Sequence, residues 1–176
     1  MTKPGFRKIR LILFTALPLL LLLSCIKEEN YSDIPEIGYS GMQLGYINDT
    51  APYPVQGILS ITFQDGNGDI GLRARDTFPP FNKEGEYYYN YVIRYFEKRD
   101  TGWAEVILNP PFSARIPILN MGYEGKPIKG LIVDTLAMDP SPDYDTVRFE
   151  MFIYDRALNK SNIVSTPDIV LRRSGL

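Results

Sequence analysis

Residues 147–154 read Val147-Arg148-Phe149-Glu150-Met151-Phe152-Ile153-Tyr154. Val147, Phe149, Met151 and Ile153 share one parity, while Arg148 and Glu150 take the other. Side chains of an extended strand point alternately to opposite faces, so a period of two predicts a β-strand with one face in a core. Leu59-Ser60-Ile61-Thr62-Phe63-Gln64 repeats the pattern, with Leu59, Ile61 and Phe63 apolar and the residues between them polar.

Other strand signals lie around these two. Tyr87 to Lys98 is rich in β-favouring residues, Asp100-Thr101-Gly102 supplies a turn, and Trp103 to Leu108 returns as the second arm of a hairpin. Ile116 to Leu119 contains Pro117 and suits a sheet edge. Gly130 to Met138 and Ile163 to Leu171 are further strands, the first of them followed by the loop Asp139-Pro140-Ser141-Pro142-Asp143. No stretch beyond residue 24 holds a helical period. Recurring strands with turns between them predict an all-β chain with one antiparallel β-sandwich over 55–176. Ahead of it, Ile26 to Pro54 is polar and interrupted by Pro35, Gly38, Gly41, Pro52 and Pro54. The stretch 25–54 is therefore expected to be a tether, with Tyr39 to Ile47 pairing late at a sheet edge.

Near the end, Tyr154-Asp155-Arg156-Ala157-Leu158-Asn159-Lys160-Ser161-Asn162 resembles the DRAGN-S hairpin turn of many bacterial immunoglobulin-like and fibronectin-like domains. The resemblance implies an immunoglobulin-like sandwich and no particular activity. Asp155 and Asn159 can bond the turn's own backbone. Leu158 stands where that family usually has Gly, so Asn159 is expected to carry the strained conformation.

The first 24 residues differ from the rest in kind. Residues 2–10 (TKPGFRKIR) are basic, and Leu11 to Leu23 (LILFTALPLLLLL) is an apolar run of 13 residues. A membrane-spanning helix needs about 20 apolar residues, whereas a secretion signal needs about 7–15. The run ends in Leu22-Leu23-Ser24-Cys25, which resembles the lipobox of bacterial lipoproteins. The resemblance implies cleavage between Ser24 and Cys25, diacylglycerol on the Cys25 sulfur and an acylated new amino terminus. The following Ile26-Lys27-Glu28-Glu29-Asn30 resembles the acid-rich tag that sends lipoproteins of Bacteroidota-type bacteria to the cell surface. An outer-membrane lipoprotein is expected, with surface exposure favoured over a periplasm-facing position.

Composition then excludes several functions. Four of the 19 basic side chains lie in the leader, leaving 15 against 21 acidic ones, a net charge of −6. That surplus repels phosphate backbones, so no nucleic acid is expected as a partner. The sequence contains no His, which removes the commonest general base and every His-containing metal site. Its single Cys can form neither an internal disulfide nor a thiolate zinc centre.

Two stretches carry candidate chemistry. In Phe63-Gln64-Asp65-Gly66-Asn67-Gly68-Asp69-Ile70-Gly71-Leu72, alternating Asp65, Asn67 and Asp69 can converge where glycines let the backbone curl, as in calcium loops. Asp76 falls at the twelfth position, where such a loop places its last acidic ligand. Ile70 occupies the position that a helix-loop-helix site reserves for Gly, so a structural turn stands as the other reading. The stretch also resembles a DGDGDIG loop of lipoproteins from Bacteroidota-type bacteria. The second stretch is Tyr87-Tyr88-Tyr89-Asn90-Tyr91, whose alternation would set Tyr87, Tyr89 and Tyr91 on one face and Tyr88 on the other. Tyr88 and Trp103 are the candidates for stacking on a sugar ring or anchoring a protein partner.

The function expected is that of a lipid-anchored envelope protein, held to the membrane through Cys25, acting as a non-enzymatic interaction or structural module. A glycan-binding accessory lipoprotein of a surface nutrient-uptake system is the alternative. A carboxylate-dependent hydrolase is a second alternative, with no catalytic residue assigned. The only attached groups expected are the covalent lipid and, on the loop reading, calcium.

Overall fold

The structure is a computed structural model that describes residues 30–119 and 125–173. The expected leader 1–24, the expected cleavage point at Ser24 and the expected lipidation residue Cys25 lie outside the described residues. Eight strands and no helix form among those described: β1 (Glu36–Gly45), β2 (Gln56–Asp65), β3 (Tyr91–Arg99), β4 (Gly102–Val106), β5 (Ile128–Ala137), β6 (Thr146–Ile153), β7 (Val164–Ser165) and β8 (Ile169–Val170). They build two antiparallel sheets, β1-β2-β5 and β4-β3-β6-β7, with β8 also pairing with β6. The chain is a β-sandwich. Its second strand lies beside its fifth and its third beside its sixth, so the connections cross between the two sheets.

The two alternating strands supply the middle of the core. Leu59, Ile61 and Phe63 of β2 face inward from one sheet, and Val147, Phe149, Met151 and Ile153 of β6 from the other. Ile93 and Tyr95 of β3 and Leu136 of β5 widen this layer. Phe149 is the centre of an aromatic group, with the rings of Tyr95 and Phe112 at 5.4 and 5.7 Å. Such clusters are worth more than their buried area alone.

The edge pairing expected for Tyr39–Ile47 is present, but as a full strand, Glu36–Gly45, that starts earlier within the expected tether and runs antiparallel to β2 from Glu36↔Gln64 to Gly45↔Gln56. Its register is irregular between Tyr39 and Gly41. Ile37 and Tyr39 pack inward before that point, and Met42 and Leu44 after it. One extra residue reverses the parity of everything downstream, so no single alternation runs through β1. The far end is fastened by Asn162, whose Oδ1 accepts from Ile37 N–H at 2.8 Å while its Nδ2 donates to Ile37 O at 2.8 Å.

Three other expectations need adjustment. β3 begins at Tyr91, so Tyr87–Asn90 lies outside the strand. The closing strand expected over Ile163–Leu171 is split into β7 and β8, since Pro167 lacks an N–H and interrupts the ladder. Pro117 makes only an isolated bridge, to Leu72, so no edge strand forms at 116–119.

The turn after β6 departs from expectation in a useful way. Leu158 itself takes the left-handed conformation, with φ of 69°, and Asn159 is not the strained residue. Asn159 instead donates its backbone N–H and its Nδ2 to the two oxygens of Asp155, at 2.7 and 2.8 Å. A β-carbon in that conformation costs roughly 1–2 kcal/mol, partly offset by the extra freedom Gly would have when unfolded. Leu158→Gly is therefore expected to stabilise the chain by about 0.5–1 kcal/mol, read as a raised urea midpoint. A lowered midpoint would mean that packing of the Leu158 side chain outweighs its backbone strain.

Candidate functional site

β2 ends on Asp65, and the chain then curls through Gly66 and Gly68. Gly68 has φ of 65°, and a Cβ on Gly66 would meet the Tyr31 carbonyl oxygen at 2.3 Å. These two positions explain why the loop needs glycine. The curl returns Asp69 toward Asp65, whose Oδ2 accepts the Asp69 N–H at 2.9 Å. Ile70 then bridges to Asp155 in the turn after β6. That turn holds Asp69 in place, because Arg156 N–H donates to its carbonyl and Ala157 N–H to its Oδ2, each at 3.2 Å.

Asp65, Asp69 and Asp155 each bring one carboxylate oxygen into a group whose members all lie within 4.8 Å of one another. Asp65 is 0% exposed and Asp155 1%. The Oδ1 atoms of Asp65 and Asp69 are sealed from solvent and accept no hydrogen bond. Burial pushes the Asp65 carboxyl up to about 6, helped by the negative charges of Asp69, Asp155 and Asp33 and opposed by the Asp69 N–H. Burial likewise raises Asp69 and Asp155 above the usual carboxylate range.

Of the four residues expected as calcium ligands, two are in this group. Asn67 spends its Oδ1 on the Asp69 N–H at 3.2 Å, an Asx-type turn contact. Asp76 lies elsewhere: its Oδ2 accepts from Arg73 N–H at 2.7 Å and pairs with the Arg156 guanidinium, which holds its carboxyl below the usual range. The twelve-residue loop numbering fails because no helix follows to carry position twelve back to the cluster. The third acid comes from 86 residues beyond Asp69, where only the sheet topology could reveal it.

The raised carboxyl of Asp65 has a consequence for stability. In the unfolded chain Asp titrates near 3.9, so between about pH 4 and 6 the folded state holds the extra proton. Stability from this group therefore falls as pH rises through that window, and the ionised carboxylate costs on the order of 2–3 kcal/mol above it. Asp65→Asn keeps an acceptor for Asp69 N–H and offers an amide donor to the neighbouring carboxylates. In buffer with EDTA the variant is expected to be more stable than the parent at pH 7.5, by about 1–2 kcal/mol, with the gain vanishing toward pH 4. Urea unfolding across pH reads this directly. A variant that is weaker at every pH would contradict it.

Tyr88 and Trp103 do not form a shared stacking platform. Tyr88 sits in the loop before β3, half-buried, with the Arg115 guanidinium 4.8 Å from its ring centre and Tyr89 edge-on at 4.8 Å. Trp103 lies on β4, opposite Lys98, with Arg148 at 4.5 Å over its ring. Each ring is thus already in contact with a cation of the chain. Tyr87 packs edge-on against Tyr154 at 4.9 Å.

Sequence reasoning missed a groove at the mouth of the sandwich. It has a volume of about 690 Å³ and runs between β5, β3 and the segment 108–114. Leu108, Phe112, Leu136 and Met138 give it an apolar floor, and Glu97, Asp134, Asp139 and Asp143 line it with acid, without a basic side chain among the lining residues. Among the described residues no strand other than β2 pairs with β5, and along the groove Thr135 N–H donates to the Asp134 Oδ1 at 2.8 Å. Leu131 and Val133 on its outer face are 54% and 55% exposed. Compared with known proteins, the chain matches no protein-family model, no curated protein and no solved structure.

Proposed function

We propose that this chain is a lipid-anchored, non-enzymatic interaction module of the bacterial outer membrane, exposed at the cell surface. Its docking element is the edge of β5 along Asp134–Ala137. The leader and the Leu22-Leu23-Ser24-Cys25 box support the anchoring. The observation that carries the interaction reading is the edge of β5 at Asp134–Ala137, covered by no other described strand and lying beside an acid-lined apolar groove. An open edge presents a row of backbone donors and acceptors, and a partner strand can complete it.

The charge of the groove selects the partner. A second copy of this chain pairing edge to edge would bring one acidic groove against another, at a cost. An extended polypeptide segment carrying Lys or Arg meets the same surface with complementary charge. The occupant proposed is therefore a basic, extended segment of a partner protein. The sugar-binding reading receives less support, because Tyr88 precedes the start of β3 while Trp103 sits opposite Lys98 near its end, and an arginine stacks on each ring.

A photo-crosslinking residue in place of Thr135, in the groove, tests this in intact cells. A discrete adduct is expected from that position and not from Gln43 on the opposite edge strand β1. The adduct should disappear when Asp134 and Asp139 are both changed to Lys. Equal adducts from both edges, or an adduct indifferent to the charge reversal, would overturn the docking assignment.

A further inference from the structure

We propose that Asp65, Asp69 and Asp155 form a site for one calcium ion that fastens the two sheets together at one end of the sandwich. Oxygens that share a calcium at about 2.4 Å are at most about 4.8 Å apart. The three carboxylate oxygens meet that limit without any backbone movement. Closeness of acids is a weak argument alone, since it costs energy and often reflects nothing more than a crowded turn.

The second observation is independent of the crowding. Asp65 is fully buried, its Oδ2 is occupied by the Asp69 N–H, and its Oδ1 is sealed from water with no donor. Asp69 is partly buried, but its oxygens divide in the same way: Ala157 N–H takes its Oδ2, and its Oδ1 is sealed and without a donor. Buried carboxylate oxygens need hydrogen-bond donors or a cation, and the surrounding backbone N–H groups are already committed to the other oxygens. The geometry holds both carboxylates by one oxygen each and leaves the second oxygen of each to a positive charge.

The chemistry of the donors selects the ion. All are hard carboxylate oxygens, with no thiolate or imidazole, which favours calcium or magnesium over zinc or copper. Arg156 pairs its guanidinium with Asp76, and its charge offsets that of Asp69 only in part, since burial still holds the Asp69 carboxyl above its usual range. Calcium tolerates an irregular set of ligands completed by water, whereas magnesium demands near-octahedral geometry. Calcium is therefore the ion assigned.

The position gives the ion a structural role. Asp65 ends β2 in the three-stranded sheet, and Asp155 follows β6 in the other. Gly66 N–H also donates to Ser32 O at 2.7 Å, only seven residues beyond Cys25. A bound ion would thus rigidify the point where the chain arriving from the lipid enters the domain.

The test uses the full chain, freed of metal with EDTA and titrated with calcium chloride and, separately, magnesium chloride. Calcium in hundredfold excess over its dissociation constant is expected to raise the melting midpoint by about 5 °C or more, with calorimetry giving one ion per chain. Magnesium is expected to bind more weakly. Asp69→Asn should weaken calcium binding by about tenfold or more while leaving the circular dichroism spectrum unchanged. Should that variant fail to fold, Asp65→Asn takes its place, with the same loss expected. No heat and no melting shift at millimolar calcium would overturn the proposal, as would undiminished binding by the folded variant. Either result would leave the docking surface at β5 untouched, because the two sites share no residue.

Discussion

Phe149→Ala is expected to cost about 3–5 kcal/mol, a third or more of the stability of an ordinary domain. Phe149 is fully buried, in the middle of β6, opposite Tyr95 in the register with β3. Its ring touches Tyr95 of the same sheet and Phe112 of the loop that closes the groove. Truncation removes the transfer energy of the ring and leaves a cavity that three different segments would have to shift to fill. Its backbone is also fixed, because Phe149 N–H donates to Thr166 Oγ1 at 3.1 Å and its carbonyl accepts from Thr166 N–H at 2.9 Å. Little collapse can therefore relieve the loss. Urea unfolding should show a much lower midpoint with an unchanged slope. A cost below about 1 kcal/mol would mean that the aromatic group is not the centre of the core.

Cys25→Ala is expected to abolish lipid attachment altogether, an all-or-none effect. Each buried methylene contributes about 0.8 kcal/mol, and a single acyl chain binds membranes only marginally. Two or three chains on one residue make the attachment effectively permanent, so losing the sulfur loses the anchor as a whole. The readout is incorporation of labelled palmitate and not fractionation alone, because an uncleaved leader with its 13-residue apolar run could by itself hold the variant at a membrane. Labelled protein from the Cys25→Ala gene would contradict the assignment.

What was readable in the sequence follows from how far each interaction reaches along the chain. β2 and β6 were legible because their inward residues alternate without interruption. β1 is legible only in part: edge pairing of Tyr39–Ile47 is expected, but its start at Glu36 is not, because the irregularity between Tyr39 and Gly41 reverses the parity midway. The start of β3 was misplaced for another reason. Tyr87–Tyr89 have the composition of a strand, but the ladder stops at Asn90, whose carbonyl still accepts from Tyr154 N–H at 2.9 Å while its side chain takes up the pairing on the other side. Its Oδ1 accepts from Ile116 N–H at 2.7 Å and its Nδ2 donates to Ile116 O at 3.3 Å. Propensity does not register side-chain pairing of this kind.

The acidic site divides in the same way. Asp65 and Asp69 lie four residues apart and could be paired by reading the loop. Asp155 was recognisable as a turn residue, but its approach to the loop depends on the bridge with Ile70, a contact between the ends of two different sheets. Asp76 looked right by counting and was drawn away by Arg156, a partner 80 residues distant. The groove left no local signal at all, since its acids come from β3, β5 and the loop after β5.

The most direct measurement for the account as a whole is intact mass spectrometry of the protein purified from the membranes of its native host. A chain that begins at Cys25 and carries the mass of a diacylglyceryl group, with or without an amide-linked acyl chain, is the predicted result. A chain that retains Met1, or one that starts at Cys25 with a free thiol, would contradict it.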